Sequence, residues 1–282
     1  LQDVITNTSG GGAFADNKTF YYSRKDKTLR NYKIFRHTLG TDEKSDVEVY
    51  HEKDNAFSCD VYRDRSNAFV MITTGSTLST EEWYLPVGDP TGGFKVILPR
   101  EEEHEYSVQH ANGEFFILTN WQATNFRFMK CGVANTAKEA WTEVVPHRED
   151  VLLEDVDLFT DHMVFSERKD GLTHLRVRKL STGVDHPIVF NDPAYVAYTG
   201  TNPEYDTDKL RYGYTSLTTP SGVYEHDLNT ALDTLLKQQE VVGTFNAADY
   251  ASERVWAPAR DGQRVPISIV YRKGTRIDGT SP

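Results

Sequence analysis

The sequence predicts an all-β fold, a β-propeller of four-stranded blades, and three observations carry that expectation. Short apolar and aromatic runs recur at Phe20-Tyr21-Tyr22, Phe69-Val70-Met71-Ile72, Phe115-Phe116-Ile117-Leu118, Met163-Val164-Phe165 and Leu210-Arg211-Tyr212-Gly213-Tyr214. Their step of about 48 residues is the spacing of four-stranded propeller units. Almost no stretch carries the 3.6-residue period of an amphipathic helix, and strand-like runs alternate with turn signals along the whole chain.

Each unit can then be laid out in order. A polar turn precedes each run: Asp16-Asn17-Lys18, Arg65-Ser66-Asn67, Ala111-Asn112-Gly113, Thr160-Asp161-His162 and Asp206-Thr207-Asp208. A third strand follows at 32–36, 82–85, 125–130, 174–179 and 222–227, and a fourth closes the unit at 47–51, 95–98, 142–145, 188–190 and 234–237. Two segments, 135–141 and 230–238, have some helical character and are read as loop or outer strand. Gly10-Gly11-Gly12 lacks a following Gly-Lys-Ser/Thr and reads as a flexible turn rather than a phosphate cradle. Five units result, with no Pro/Ser/Gly linker between them, and residues 1–5 are a candidate closing strand for the ring. The last apolar segment is a hairpin, 254–258 and 265–271, turned at Asp261-Gly262. Its second strand sets Val265, Ile267 and Ile269 on one face, and a polar tail follows it. With Leu1 rather than Met at the start, further residues are expected on both sides of this chain.

Charge and composition exclude several functions. A formal net charge of −11 argues against a phosphate backbone as partner, so no nucleic acid is expected. No apolar run approaches membrane-spanning length and no signal peptide is visible, so no membrane association is expected. Cys59 and Cys131 are far apart and lack metal-site spacing, which fits a reducing, cytoplasmic setting and inert core thiols.

The chemistry-bearing candidates are few. No Gly-x-Ser-x-Gly elbow occurs, so no catalytic residue is assigned. His104-Glu105-Tyr106-Ser107-Val108 begins like a zinc motif but carries Val108 where the second His must stand, and it reads as a strand; no metal and no cofactor is expected. Glu101, Glu102, Glu103 and Glu105 form the sharpest acidic cluster, set around His104. Clustered carboxylates raise the local concentration of cations, so these four are the candidate gate for cationic peptides, against the plainer reading of a solvated loop. Trp83, Trp141, Tyr212 and Tyr214 are expected in the core rather than stacking on ligand.

Several longer stretches resemble one family. They include Leu98-Pro99-Arg100 with His104-Glu105-Tyr106-Ser107, Arg168-Lys169-Asp170-Gly171-Leu172-Thr173 and Asp192-Pro193-Ala194-Tyr195-Val196. The most specific are Leu210-Arg211-Tyr212-Gly213-Tyr214-Thr215-Ser216-Leu217-Thr218-Thr219-Pro220 and Ala259-Arg260-Asp261-Gly262 with Val265-Pro266-Ile267-Ser268-Ile269-Val270-Tyr271. The chain resembles the prolyl oligopeptidase family of serine peptidases over essentially its whole length, in particular the branch that cleaves short peptides after Arg or Lys. That resemblance implies an α/β-hydrolase domain capped by a seven-bladed propeller. Residues 1–251 then correspond to five of the blades and 252–282 to the start of the hydrolase domain, with the Ser, Asp and His of the triad beyond these residues. Short basic peptides are the implied substrates of the whole enzyme, and this chain is expected to be inactive alone. Open propeller edges also predict self-association. The alternative is a free-standing propeller that binds protein or peptide without chemistry.

Overall fold

A computed structural model describes residues 3–280 of the 282-residue chain. Among these residues the structure contains five four-stranded antiparallel sheets and one two-stranded sheet, as the repeat predicts. The chain divides into two compact units, Leu1–Arg148 and Glu149–Pro282.

The first unit holds three sheets. Sheet one is β1 (Thr8–Phe14), β2 (Thr19–Lys25), β3 (Asn31–Thr38) and β4 (Val47–His51); sheet two is β5 (Ser58–Arg63), β6 (Phe69–Gly75), β7 (Thr80–Pro86) and β8 (Lys95–Val96). Sheet three is β9 (Tyr106–Ala111), β10 (Glu114–Thr119), β11 (Arg127–Gly132) and β12 (Thr142–Val145). Each is a plain meander in which chain neighbours pair. The apolar runs are the second strands, and β6 shows why they are continuous rather than alternating. Val70 and Ile72 pack into the core shared with sheet one, while Phe69 and Met71 pack into the core shared with sheet three. A strand buried on both faces has no polar side to display, and burying each such side chain contributes roughly 1.5–3 kcal/mol.

The second unit holds sheet four, β13 (Leu152–Leu158), β14 (His162–Lys169), β15 (Leu172–Lys179) and β16 (Asp185–Pro187). Sheet five is β17 (Tyr195–Thr199), β18 (Lys209–Ser216), β19 (Gly222–Asp227) and β20 (Asp233–Gln238). Val164, Leu175, Val177, Leu210 and Tyr212 belong to one core between them. The hairpin is β21 (Tyr250–Pro258) and β22 (Arg264–Arg272), paired without a break from Tyr250–Arg272 to Pro258–Arg264.

The structure corrects the sequence reading in places. Gly10, Gly11 and Gly12 are not a turn but part of β1, where the register shifts between Thr8 and Gly12 as in a β-bulge. Gly12 passes so close to β2 that an added Cβ would lie 2.5 Å from the Tyr21 carbonyl oxygen, so the glycine reflects close backbone approach rather than turning. The closing strand of sheet four is Asp185–Pro187 instead of 188–190. Ile188 still donates to the Leu175 carbonyl at 2.8 Å, but its side chain is already leaving into the core. His104 and Glu105 precede the strand that begins at Tyr106. Of the candidate closing segment 1–5, Leu1 and Gln2 lie outside the described residues and Asp3, Val4 and Ile5 form no strand. The first strand of the hairpin starts at Tyr250 rather than at 254. Segment 135–141 contains a 3-10 turn, Lys138–Ala140, and 230–238 ends as the outer strand β20.

Candidate functional site

The four glutamates lie in the loop that links sheet two to sheet three, and neighbouring groups hold that loop's backbone. Glu103 sits in the left-handed region (φ 57°), and its amide donates to Ser79 Oγ at 3.1 Å. The Asn120 amide side chain brackets the turn, donating to the Glu103 carbonyl at 3.1 Å and accepting from the Glu105 amide at 2.9 Å. Thr80 donates to the His104 carbonyl at 3.1 Å. His104 is buried, with Nε2 2.9 Å from Thr119 Oγ1 and its ring beside those of Tyr106 and Trp141. A buried His104 flanked by exposed glutamates forces the carboxylates outward: Glu101, Glu102 and Glu103 are exposed and Glu105 is half-buried. They do not act as one charge. Lys138 Nζ lies 2.5 Å from Glu101, and this hydrogen bond holds the Glu101 carboxyl below its usual range.

Behind the loop runs a buried ionic network that the sequence did not reveal. Arg100 donates through its amide to Glu81 (2.8 Å) and through its guanidinium to Glu52 (2.5 Å), and its guanidinium stacks on Phe57 at 4.0 Å. Glu52 and Glu81 are both buried. Next to Glu81, Glu82 is sealed in sheet two with no ion-pair partner among the described residues; burial pushes its carboxyl up to about 8, opposed by hydrogen bonds from Thr73 and Tyr62. The Tyr106 hydroxyl accepts from the Glu82 amide and donates to the Leu98 carbonyl, tying this group to the base of the acidic loop.

A Ser–His–Asp grouping exists in the first unit, but its geometry is that of a locked turn. The Ser66 hydroxyl lies between Asp64 and His110, 2.7 Å from His110 Nδ1, and His110 is 4.0 Å from Asp64. A triad needs the imidazole between serine and carboxylate; here the serine takes that place. Asp64 also accepts from the amides of Ser66 and Phe69, at 3.0 and 2.6 Å, so it caps the β5–β6 turn. Burial raises the Cys59 and Cys131 thiols to about 12 and about 11, which removes both as nucleophiles. Trp141 and Tyr212 are core residues, as expected, and Trp83 and Tyr214 are partly buried against it. Among the described residues no group of three or more His, Cys, Asp or Glu converges on a metal position, and no helix is long and apolar enough to cross a membrane.

In the second unit the hairpin touches sheets four and five. Arg254 of β21 donates to the carbonyl of Asp170 at the β14–β15 turn and lies over Trp256. A cleft of about 250 Å³ opens between the hairpin's Ser268 and Tyr195, Val196 and Ser216 of sheet five, with Leu217 of the β18–β19 turn. Val265, Ile267 and Ile269 are exposed, so the apolar face read from alternation meets no partner among the described residues.

Five successive four-stranded meanders with apolar layers between sheets define a β-propeller protein. Residues 1–239 match the prolyl oligopeptidase N-terminal β-propeller domain, and the chain belongs to the prolyl oligopeptidase family. Dipeptidyl aminopeptidase BI of Pseudoxanthomonas mexicana is 39% identical over 100% of this chain and 39% of its own length. Protease 2 of Moraxella lacunata is 27% identical over 93% of this chain and 37% of its own length. The fold overlays oligopeptidase B from Trypanosoma brucei, in a closed form with covalently bound antipain, with a TM-score of 0.89 at 28% identity, over 98% of this chain and 41% of that one. Oligopeptidase B from Leishmania major gives 0.88 at 27% identity, over 99% and 40%. The chain thus spans about two fifths of the length of the relatives it matches.

Proposed function

We propose that this chain is the substrate-gating propeller of a serine oligopeptidase that cleaves short peptides after Arg or Lys. The observation that carries the reading is the likeness to oligopeptidase B over 98% of this chain, together with exposed carboxylates and a Ser66–His110–Asp64 grouping that is locked in a turn. The catalytic serine, histidine and aspartate belong to a hydrolase domain that the hairpin Tyr250–Arg272 begins, which accounts for its exposed apolar face. In that enzyme the serine attacks the scissile carbonyl while the histidine moves the proton and the aspartate holds its tautomer. The propeller's part is selection, admitting flexible peptides and excluding folded proteins. Glu101, Glu102, Glu103 and Glu105 draw cationic peptides toward it, with Glu102 and Glu103 contributing most because Lys138 offsets Glu101. The exposed edge strand β20 and the exposed hairpin support self-association when these 282 residues stand alone, readable by light scattering.

The 39% identical relative named for dipeptidyl aminopeptidase activity favours a second specificity, release of N-terminal dipeptides. A panel of arylamides assayed with the gene's complete product separates the two. Cleavage of a blocked arginyl-arylamide supports the oligopeptidase reading. Cleavage restricted to dipeptidyl-arylamides with a free amino end supports the other. Cleavage by the 282-residue chain itself overturns the assignment of catalysis to residues outside it.

A further inference from the structure

Sheets four and five of the second unit face each other, and at one edge of that apolar layer two histidines meet. His186 on β16 pairs with Val177, and His226 on β19 pairs with Leu210 and with Asp233. Cross-strand partners project to the same face, so both imidazoles enter the layer that holds Val177 and Leu210. Their Nε2 atoms stand 3.3 Å apart, with ring centroids at 5.6 Å. His226 is fully buried, and its Nδ1 lies 2.9 Å from the Asp233 carboxylate. A carboxylate on Nδ1 fixes the tautomer in which the Nε2 lone pair faces the other imidazole, the arrangement that supports metal-bound histidines.

We propose that His186 and His226 bind one zinc-class divalent cation through their Nε2 atoms, with Asp233 orienting His226. Two nitrogens each about 2.05 Å from a tetrahedral ion lie about 3.3 Å apart, so the rings need little movement to admit it. Imidazole suits zinc and its borderline neighbours and does not suit magnesium. A third histidine, His162, shares the β14 face with Val164; it is 2% exposed and neither ring nitrogen has a hydrogen-bond partner. His186 is only half-buried on an edge strand, which leaves the ion a way in. With two protein ligands, water completes the shell and the ion exchanges readily.

The test is calorimetric titration of the purified protein with zinc chloride, with magnesium chloride as the control metal. One saturable zinc equivalent is expected, lost in His186→Ala and weakened about 10–100-fold in Asp233→Asn, with His51→Ala unchanged. As a readout that needs no variant, zinc is expected to protect His186 from diethyl pyrocarbonate in the unmodified protein. Absence of saturation, saturation that survives His186→Ala, or modification of His186 unaffected by zinc leaves a plain imidazole–imidazole hydrogen bond and overturns the proposal.

Discussion

Arg100 reaches Glu52 at 2.5 Å, joining the segment that leaves sheet two to the one that leaves sheet one. Glu52 is 3% exposed while Arg100, stacked on Phe57, is half-buried, so the carboxylate has little water to take the place of its partner. Removing one member of such a pair strands the other. Arg100→Ala is expected to cost about 3 kcal/mol in denaturant unfolding, the low end for a broken buried pair because the arginine keeps some solvent contact. Adding Glu52→Gln should recover part of that loss; strict additivity in the double-mutant cycle would show that the two do not interact.

Glu82 sets a pH dependence. Its carboxyl titrates near 8 in the folded chain against an ordinary value of 4.5. Between those values the native state holds a proton that the unfolded chain has lost, so the stability contribution is full below pH 4.5 and declines as pH rises toward 8. His37 acts in the same direction. Burial opposes its charged form, but hydrogen bonds to Asp46 (2.7 Å) and Asp3 (3.3 Å) outweigh burial and raise it. The difference between wild type and Glu82→Gln isolates the first group. That difference is expected to change across pH 5–8, and a constant offset in unfolding free energy would refute the assignment.

Gly12 tests the bulge in β1. Gly12→Ala places a Cβ 2.5 Å from the Tyr21 carbonyl oxygen, and the backbone of β2 cannot move aside cheaply. A loss of about 1–3 kcal/mol is expected, as for other overpacked positions. Gly11→Ala, whose nearest neighbour would be Ser9 Oγ at 3.8 Å, is the matched control and should cost less.

The gating role proposed for the acidic loop predicts a kinetic effect. Glu102→Lys with Glu103→Lys should lower kcat/KM on arginyl peptides by up to about tenfold at low salt and flatten its dependence on ionic strength. Turnover of a neutral ester substrate should not change. Equal losses on both substrates would place the effect in folding rather than in attraction.

Arg254 tests the attachment of the hairpin. Arg254→Ala removes the donor to the Asp170 carbonyl and one of the two cations over Trp256, Arg264 being the other, so the turn at Asp261-Gly262 should be cut faster in limited proteolysis. An unchanged cleavage rate would mean that strand pairing and the remaining contacts suffice.

The second strands and four of the five closing strands were legible in the sequence, because a strand buried on both faces must be apolar throughout and the 48-residue step repeats that demand. The hairpin was legible for a related reason, since Asp261-Gly262 lies between alternating residues. The closing strand of sheet four was displaced because Ile188 is the most apolar residue there, yet it serves the core after the strand has ended. Gly10-Gly11-Gly12 misled because glycine serves both turning and close approach, and only the position of β2 distinguishes them. Lone polar residues such as Glu52, Glu81, Arg100, His186 and His226 carry no periodic signal. Their partners lie 19–48 residues away, or 40 for the two histidines, so pairing depends on how neighbouring sheets stack. The sequence determined by itself the all-β class, the five repeats and the acidic loop, because these follow from local pattern and composition. Tertiary structure alone decided which charges are buried together, since that depends on contacts made across sheets after each has formed.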